Sequence, residues 1–208
     1  MTTDMITIVD IGTGNLGSIL NMLRRIKASA KVTSSIADIE SADKLILPGV
    51  GAFDNAMKNL DRLGLIDVLN KRVQEHRAPI LGICLGLQLF ARRSEEGILP
   101  GLGWLNAEVV RFRSDGQSDV RIPHMGWNTT TLEKDDPLFA DMKDETRFYF
   151  VHSYHLVCRE PTDVLTTTQY GHEFVSSVAR DNVRGVQFHP EKSHRFGMKL
   201  LENFARLI

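Results

Sequence analysis

The chain has 208 residues, 42% hydrophobic and 25% charged, which is enough to bury a sizeable core and too apolar for intrinsic disorder. Its 25 Lys and Arg against 26 Asp and Glu leave a formal net charge of −1, so no global field draws it to nucleic acid or anionic lipid. Apolar runs are short, Leu45 to Leu47 and Pro79 to Leu81 among them, so no segment can span a bilayer.

The amino terminus lacks a basic region followed by a long apolar stretch. Cys84 and Cys158 are the two cysteines, too far apart for a zinc knuckle or a redox pair. The expectation is a cytoplasmic protein in a reducing compartment, with no metal and no cofactor.

Residues 5–10 form a short apolar run rich in β-branched side chains, closed by Gly12-Thr13-Gly14-Asn15, and residues 16–27 then read as an amphipathic helix. Residues 44–47 are a second run, closed by Pro48-Gly49-Val50-Gly51, with helical patterns over 53–60 and 65–76. Residues 79–83 are a third run, followed by a helix over 85–93. Strand, turn and helix in repetition mean βαβ units and a parallel sheet covered on both faces. The second half changes character. Residues 109–112, 127–132, 148–151, 164–169, 174–179 and 183–188 are strand-like, punctuated by Gly, Pro, Asn and Asp, and 194–207 is a closing helix. No internal repeat or linker interrupts the chain. Residues 1–208 therefore read as one α/β domain, with a mostly parallel central sheet, helices on both faces and extra antiparallel strands in the C-terminal half.

The most informative stretch is Gly82-Ile83-Cys84-Leu85-Gly86. A buried strand ends, one residue sits on a sharp turn, and a helix begins, with glycines two before and two after the cysteine. This is the spacing of a nucleophile elbow. The turn presents Cys84 at the C-terminal edge of the sheet, where open α/β sheets bind ligands, and a helix N-terminus favours its thiolate. The competing reading is a buried structural thiol.

A cysteine nucleophile needs a base and a group to orient that base. His189-Pro190-Glu191 offers both at the end of an apolar strand, with the proline stopping the ladder. Pro48-Gly49-Val50-Gly51 follows another strand and frees backbone N–H groups that can hold an oxyanion, although an ordinary βα turn would look the same. Gly12, Gly14 and Gly17 satisfy a dinucleotide-type glycine pattern, but no acidic residue stands at a second strand end to take a ribose. His152 and His155 suggest a metal only superficially, because residues i and i+3 of a strand point to opposite faces. Cys158 reads as a structural thiol.

Together, Pro48 to Gly51, Gly82 to Gln88 and His189 to Glu191 resemble the class I, triad-type glutamine amidotransferases in order and separation over nearly the whole chain. Asp10 to Asn15, Pro123-His124-Met125-Gly126-Trp127-Asn128 and Phe150 to His155 further resemble the glutaminase subunits of imidazole glycerol phosphate synthase, from histidine biosynthesis.

The resemblance implies hydrolysis of glutamine to glutamate and ammonia through a thioester on Cys84, with His189 as acid and then base and Glu191 orienting it. Leu85 and one of Gly49, Val50 and Gly51 would supply the oxyanion hole. In the family the peptide near Val50 is thought to flip before its N–H points inward. Gln88, which lies one helical turn after Cys84, would contact the amino-acid end of glutamine. Glu96 would bind the α-ammonium, and Ser153 and Tyr154 would offer main-chain groups. The implied partner is a separate cyclase subunit, a (β/α)₈ barrel, facing Asn15, His124, Met125, Gly126, Trp127 and Asn128 in a heterodimer. For Trp127 the alternative is burial in the core. A paralogous glutaminase feeding a sugar-amidating barrel of surface polysaccharide synthesis would share the triad. A non-catalytic scaffold and a cysteine peptidase on the same fold are the remaining alternatives.

Overall fold

The computed structural model describes residues 4–113, 121–142 and 146–208; the first three residues of the amino terminus lie outside them. The first half runs β1 (Ile6–Val9), α1 (Leu16–Arg25), β2 (Ala30–Thr33), α2 (Ile36–Glu40), β3 (Lys44–Gly49), α3 (Phe53–Arg62), α4 (Leu65–Asn70), β4 (Ile80–Cys84) and α5 (Leu85–Gln88). The second half adds β5 (Arg93–Ser94), β6 (Ala107–Arg111), β7 (His124–Thr129), β8 (Thr131–Leu132), β9 (Arg147–His152), β10 (Tyr154–Cys158), β11 (Val164–Tyr170), β12 (His172–Arg180), β13 (Val183–Val186) and α6 (His194–Leu207).

Among the described residues the main sheet has eleven strands, with the path β2-β1-β3-β4-β13-β12-β10-β6-β5 and with β11 and β8 branching from β12. From β2 to β13 the strands are parallel. At β13 the sheet turns antiparallel through β12, β10 and β6. The central strands are buried on both sides because a helical layer covers each face. Ile8, Ile46 and Leu81 pack with Ile19 and Leu23 of α1 and Leu200 and Phe204 of α6, whereas Val9, Leu45 and Leu47 pack with Phe53, Leu60 and Leu69 of α3 and α4. No helix among the described residues is long and apolar enough to cross a membrane.

The topology places the chemistry. Gly49 at the end of β3 pairs with Cys84 at the end of β4, and Val186 of β13 pairs with Ile83. The three carboxyl ends thus meet, and the loop after β3, the turn after β4 and the segment after β13 share one edge.

Three local expectations are corrected. The helix starting at Leu85 ends at Gln88, not at residue 93, because Phe90 and Ala91 donate to Leu87 and Gln88 three residues back and the chain then joins β6. Its macrodipole is correspondingly short. The helix over 65–76 changes to a π turn at Lys71–Glu75. β2 and β10, which the hydrophobic pattern does not mark as separate strands, are made by pairing with β1 and with β6.

Two glycine substitutions test this packing. A Cβ on Gly86 would overlap the Leu47 carbonyl, whereas one on Gly17 in α1 meets nothing within 4 Å. Gly86→Ala should lower stability by roughly 2 kcal/mol or more through overpacking. Gly17→Ala should raise it by about 0.5–1 kcal/mol through helix propensity. Urea unfolding of both variants checks the pair.

Candidate active site

Cys84 closes β4 with φ +54° and ψ −109°, a conformation a side chain adopts only under constraint. Such a residue costs about 1–3 kcal/mol and persists only where its surroundings fix it. Here they do. A Cβ on Gly82 would stand 2.7 Å from the Phe90 ring, and Gly86 lies against β3. The strained turn aims the thiol into a cavity of about 440 Å³ at the carboxyl edge of the sheet.

His189 reaches the same cavity from beyond β13. Its main chain is pinned by His189 N–H to Tyr149 O at 2.9 Å and by Ser193 Oγ donating to His189 O at 2.6 Å. Glu191 lies outside the cavity, behind the imidazole, with Oε1 2.8 Å from His189 Nδ1. The carboxylate can only accept, so Nδ1 carries the hydrogen and Nε2 is left facing the Cys84 side. Burial works against charge on His189, but the hydrogen bonds and charges of Cys84 and Glu191 outweigh it and raise the ring to about 10. Gln187, just before it, donates to Cys84 Sγ at 3.7 Å.

Most of the residues singled out from the sequence wall this cavity. Val50, Gly51, Leu85, Gln88, Glu96, Ser153 and Tyr154 line it together with Cys84 and His189. Gly49 lies just behind, paired with Cys84. Glu96 accepts from the Phe53 N–H at 2.9 Å, and its carboxyl is raised by desolvation and by Asp54. A cation entering the cavity would relieve that. The Ser153 carbonyl already accepts from Phe112 N, and the Tyr154 carbonyl from both His152 Nδ1 and Gln88 Nε2. Both lone pairs of the Tyr154 carbonyl are thereby used, whereas the Ser153 carbonyl keeps one.

Sequence reasoning misses Pro123, Val151, His152 and Lys192 as cavity walls, and Gln187 and Ser193 as supports. Lys192 and Ser193 directly follow the His-Pro-Glu stretch, which is the available signal.

Two expectations about the remaining residues change. His124, expected on a partner face, has a side chain 2% exposed and sandwiched by Phe150 and Tyr170. The alternation of β7 instead exposes Met125 at 61% and Trp127 at 43%, so Trp127 is not core. The Trp127 ring stacks on His194 with centroids 5.4 Å apart. His152 and His155 do not point apart, because Ser153 switches the chain from the β7–β9 pair into the main sheet. Both rings contact Phe112. Among the described residues no group of three or more His, Cys, Asp or Glu is arranged to hold a metal. Gly14 packs against Pro48 and Gly49, which puts Asn15, the N-cap of α1, beside the loop after β3. Cys158 is pushed up to about 12 by burial and then by Asp163, as suits an inert thiol.

The model of the class-I glutamine amidotransferases matches residues 7–207. The chain belongs to this family. It is 51% identical over 98% of its length to the whole of the imidazole glycerol phosphate synthase subunit HisH 2 of Pseudomonas aeruginosa. It is 52% identical over 97% of its length to 99% of the subunit of the same name from Methanococcus maripaludis. In fold, this amidotransferase resembles a putative GMP synthase protein of Thermoplasma acidophilum, with TM-score 0.73 at 20% identity over 99% of this chain and 94% of that one.

The site makes one amidotransferase histidine unlike its neighbours. His124, His152 and His155 are lowered by burial to about 4, 3 and 4, while His189 is raised to about 10. Nuclear magnetic resonance should find His189 protonated at pH 8 and the other three neutral at pH 5.5. Stability follows from linkage. Between about pH 6.5 and pH 4 the unfolded chain binds protons that the three buried rings refuse, so stability falls as pH falls. The His189 contribution is complete below about pH 6.5 and is lost as pH rises towards 10. Urea midpoints across pH check both limbs.

Proposed function

We propose that this chain hydrolyses glutamine to glutamate and ammonia and supplies the ammonia to a separate cyclase subunit. That subunit would make imidazole glycerol phosphate and aminoimidazole carboxamide ribotide in histidine biosynthesis. One observation carries the reading: Cys84 and a Glu191-oriented His189 share one cavity in a chain that aligns end to end with imidazole glycerol phosphate synthase subunits.

In this reading the Cys84 thiol has passed its proton to His189, and the Cys84 thiolate attacks the side-chain amide carbon of glutamine while the carbonyl electron pair moves onto oxygen. The N–H of Leu85 and one from Gly49, Val50 or Gly51 receive that oxyanion. His189, which keeps its proton at neutral pH, gives it to the amide nitrogen. The C–N bond breaks, ammonia leaves and a γ-glutamyl thioester remains on Cys84. His189 then takes a proton from water, whose oxygen attacks the thioester and frees glutamate and the thiol. Glu191 holds the ring in the tautomer this requires. Glu96 binds the α-ammonium, and Gln88 with the Ser153–Tyr154 main chain bounds the amino-acid end.

The cyclase, a (β/α)₈ barrel, docks on Asn15, Met125, Gly126, Trp127 and Asn128, of which Met125 and Trp127 are exposed large hydrophobic residues; Val50 of the loop after β3 is exposed as well. The assembly is a cytoplasmic heterodimer, and the near full-length identity to imidazole glycerol phosphate synthase subunits favours it over a sugar-amidating acceptor.

Ammonia release from glutamine, measured for the chain alone and with the histidine-pathway cyclase and its nucleotide, tests this. The rate should rise by roughly 10²–10³-fold in the complex, the weight of one oxyanion donor. Cys84→Ala should abolish it, and Glu191→Gln should lower it by about 10²-fold or more. A flat rate with active cyclase contradicts the partner assignment. Trp127→Ala should weaken the complex by about 2 kcal/mol or more while shifting the melting temperature little. Titration calorimetry beside a thermal melt separates the two.

A further inference from the structure

His124 and His152 remain outside the mechanism although both are buried and both lie near its centre. His124 Nδ1 stands 3.0 Å from His152 Nε2. We propose that these two rings are positioning residues: a hydrogen-bonded relay that sets the Tyr154 carbonyl, Gln88 and Gln187 around Cys84. The proposal deepens the glutaminase reading and rests on it.

Donor and acceptor chemistry gives the relay one direction. The Asn128 amide accepts from Thr129 N–H through Oδ1 at 2.9 Å and donates to Gln169 O through Nδ2 at 3.0 Å, which fixes its orientation. Its Nδ2 is therefore also the donor to His124 Nε2 at 3.3 Å. At the other end the Tyr154 carbonyl can only accept, so His152 Nδ1 donates to it at 2.8 Å. A neutral His152 then has an acceptor at Nε2, and a neutral His124 has its hydrogen at Nδ1, so the bond between the rings runs from His124 to His152. The relay continues without a mismatch. Gln88 Nε2 donates to the Tyr154 carbonyl and to Gln187 Oε1, both at 3.0 Å, and Gln187 Nε2 donates to Cys84 Sγ at 3.7 Å.

Packing holds the rings in these orientations. His124 stacks between Phe150 and Tyr170, with centroids 4.7 and 3.9 Å away, and Phe112 packs on His152 at 5.3 Å. Burial keeps both imidazoles neutral, as the relay needs. A network in which every member is satisfied is rigid, and opening one link leaves a buried group unpaired.

The test compares His124→Phe, which fits the aromatic slot but has nothing to donate, with His124→Asn, whose amide can replace Nδ1–H. In the complex with the cyclase, His124→Phe should raise KM for glutamine about tenfold, the scale of one buried hydrogen bond. Its kcat should change less, because His189 and Glu191 are untouched. Alkylation of Cys84 by iodoacetamide should change by about threefold or more in the same variant. His124→Asn should restore both. Equal values for His124→Phe and wild type overturn the proposal, as does His124→Asn being as impaired as His124→Phe.

If wild type itself releases no ammonia, the glutaminase reading fails, and the alkylation rates still decide the relay. Should His124→Phe not fold, ¹⁵N spectra of wild type decide it: both rings must be Nδ1–H tautomers, and Nε2–H on either one overturns it.

Discussion

Everything at this site depends on one strained turn. Cys84 is held at positive φ between a buried strand and a four-residue helix. The hold is steric, because Gly82 has room only for a hydrogen beside Phe90, and Gly86 lets the helix lie on β3. That contact brings the loop after β3 beside the thiol. The parallel pairing of β4 with β13 brings His189 to the same place. The meeting of Cys84, His189 and the loop after β3, to which we assign nucleophile, base and oxyanion hole, is thus a consequence of strand order and of two glycines.

Electrostatics then separates residues of one type into two roles. His189 has a carboxylate on one nitrogen and the thiol side on the other, so it keeps a proton despite burial. The ring nitrogens of His124, His152 and His155 meet carbonyls, an amide and other imidazoles, His172 among them, so burial strips their charge, although Glu95 opposes it at His155. The first can give a proton to a leaving group. The others are fixed dipoles, useful for holding geometry.

Local signals make the centre legible. Gly82-Ile83-Cys84-Leu85-Gly86 and His189-Pro190-Glu191 are short strings whose geometry is determined within a few residues, and the structure brings Cys84 and His189 into one cavity with Glu191 behind the imidazole. The βα units are legible for the same reason, since β1, β3 and β4 are each built on a short apolar run. What escapes depends on distant partners. β10 is a strand because β6 and β12 flank it, and Tyr-His-Leu-Val-Cys carries no clean alternation to announce it. His152 and His155 escape because a period of two does not carry across Ser153, where the chain leaves one sheet for another. His124 sits in a string that reads as surface, although strand alternation already separates it from Met125 and Trp127.

If Cys84 carries the acyl group of glutamine, mass spectrometry of the acid-quenched complex during turnover can catch it there. A γ-glutamyl thioester is expected on the peptide containing Cys84, with more accumulating in Glu191→Gln if a misoriented His189 slows hydrolysis more than acylation. Steady ammonia release by a Cys84→Ala complex, or turnover with no acyl adduct on Cys84 under conditions that preserve thioesters, would contradict it.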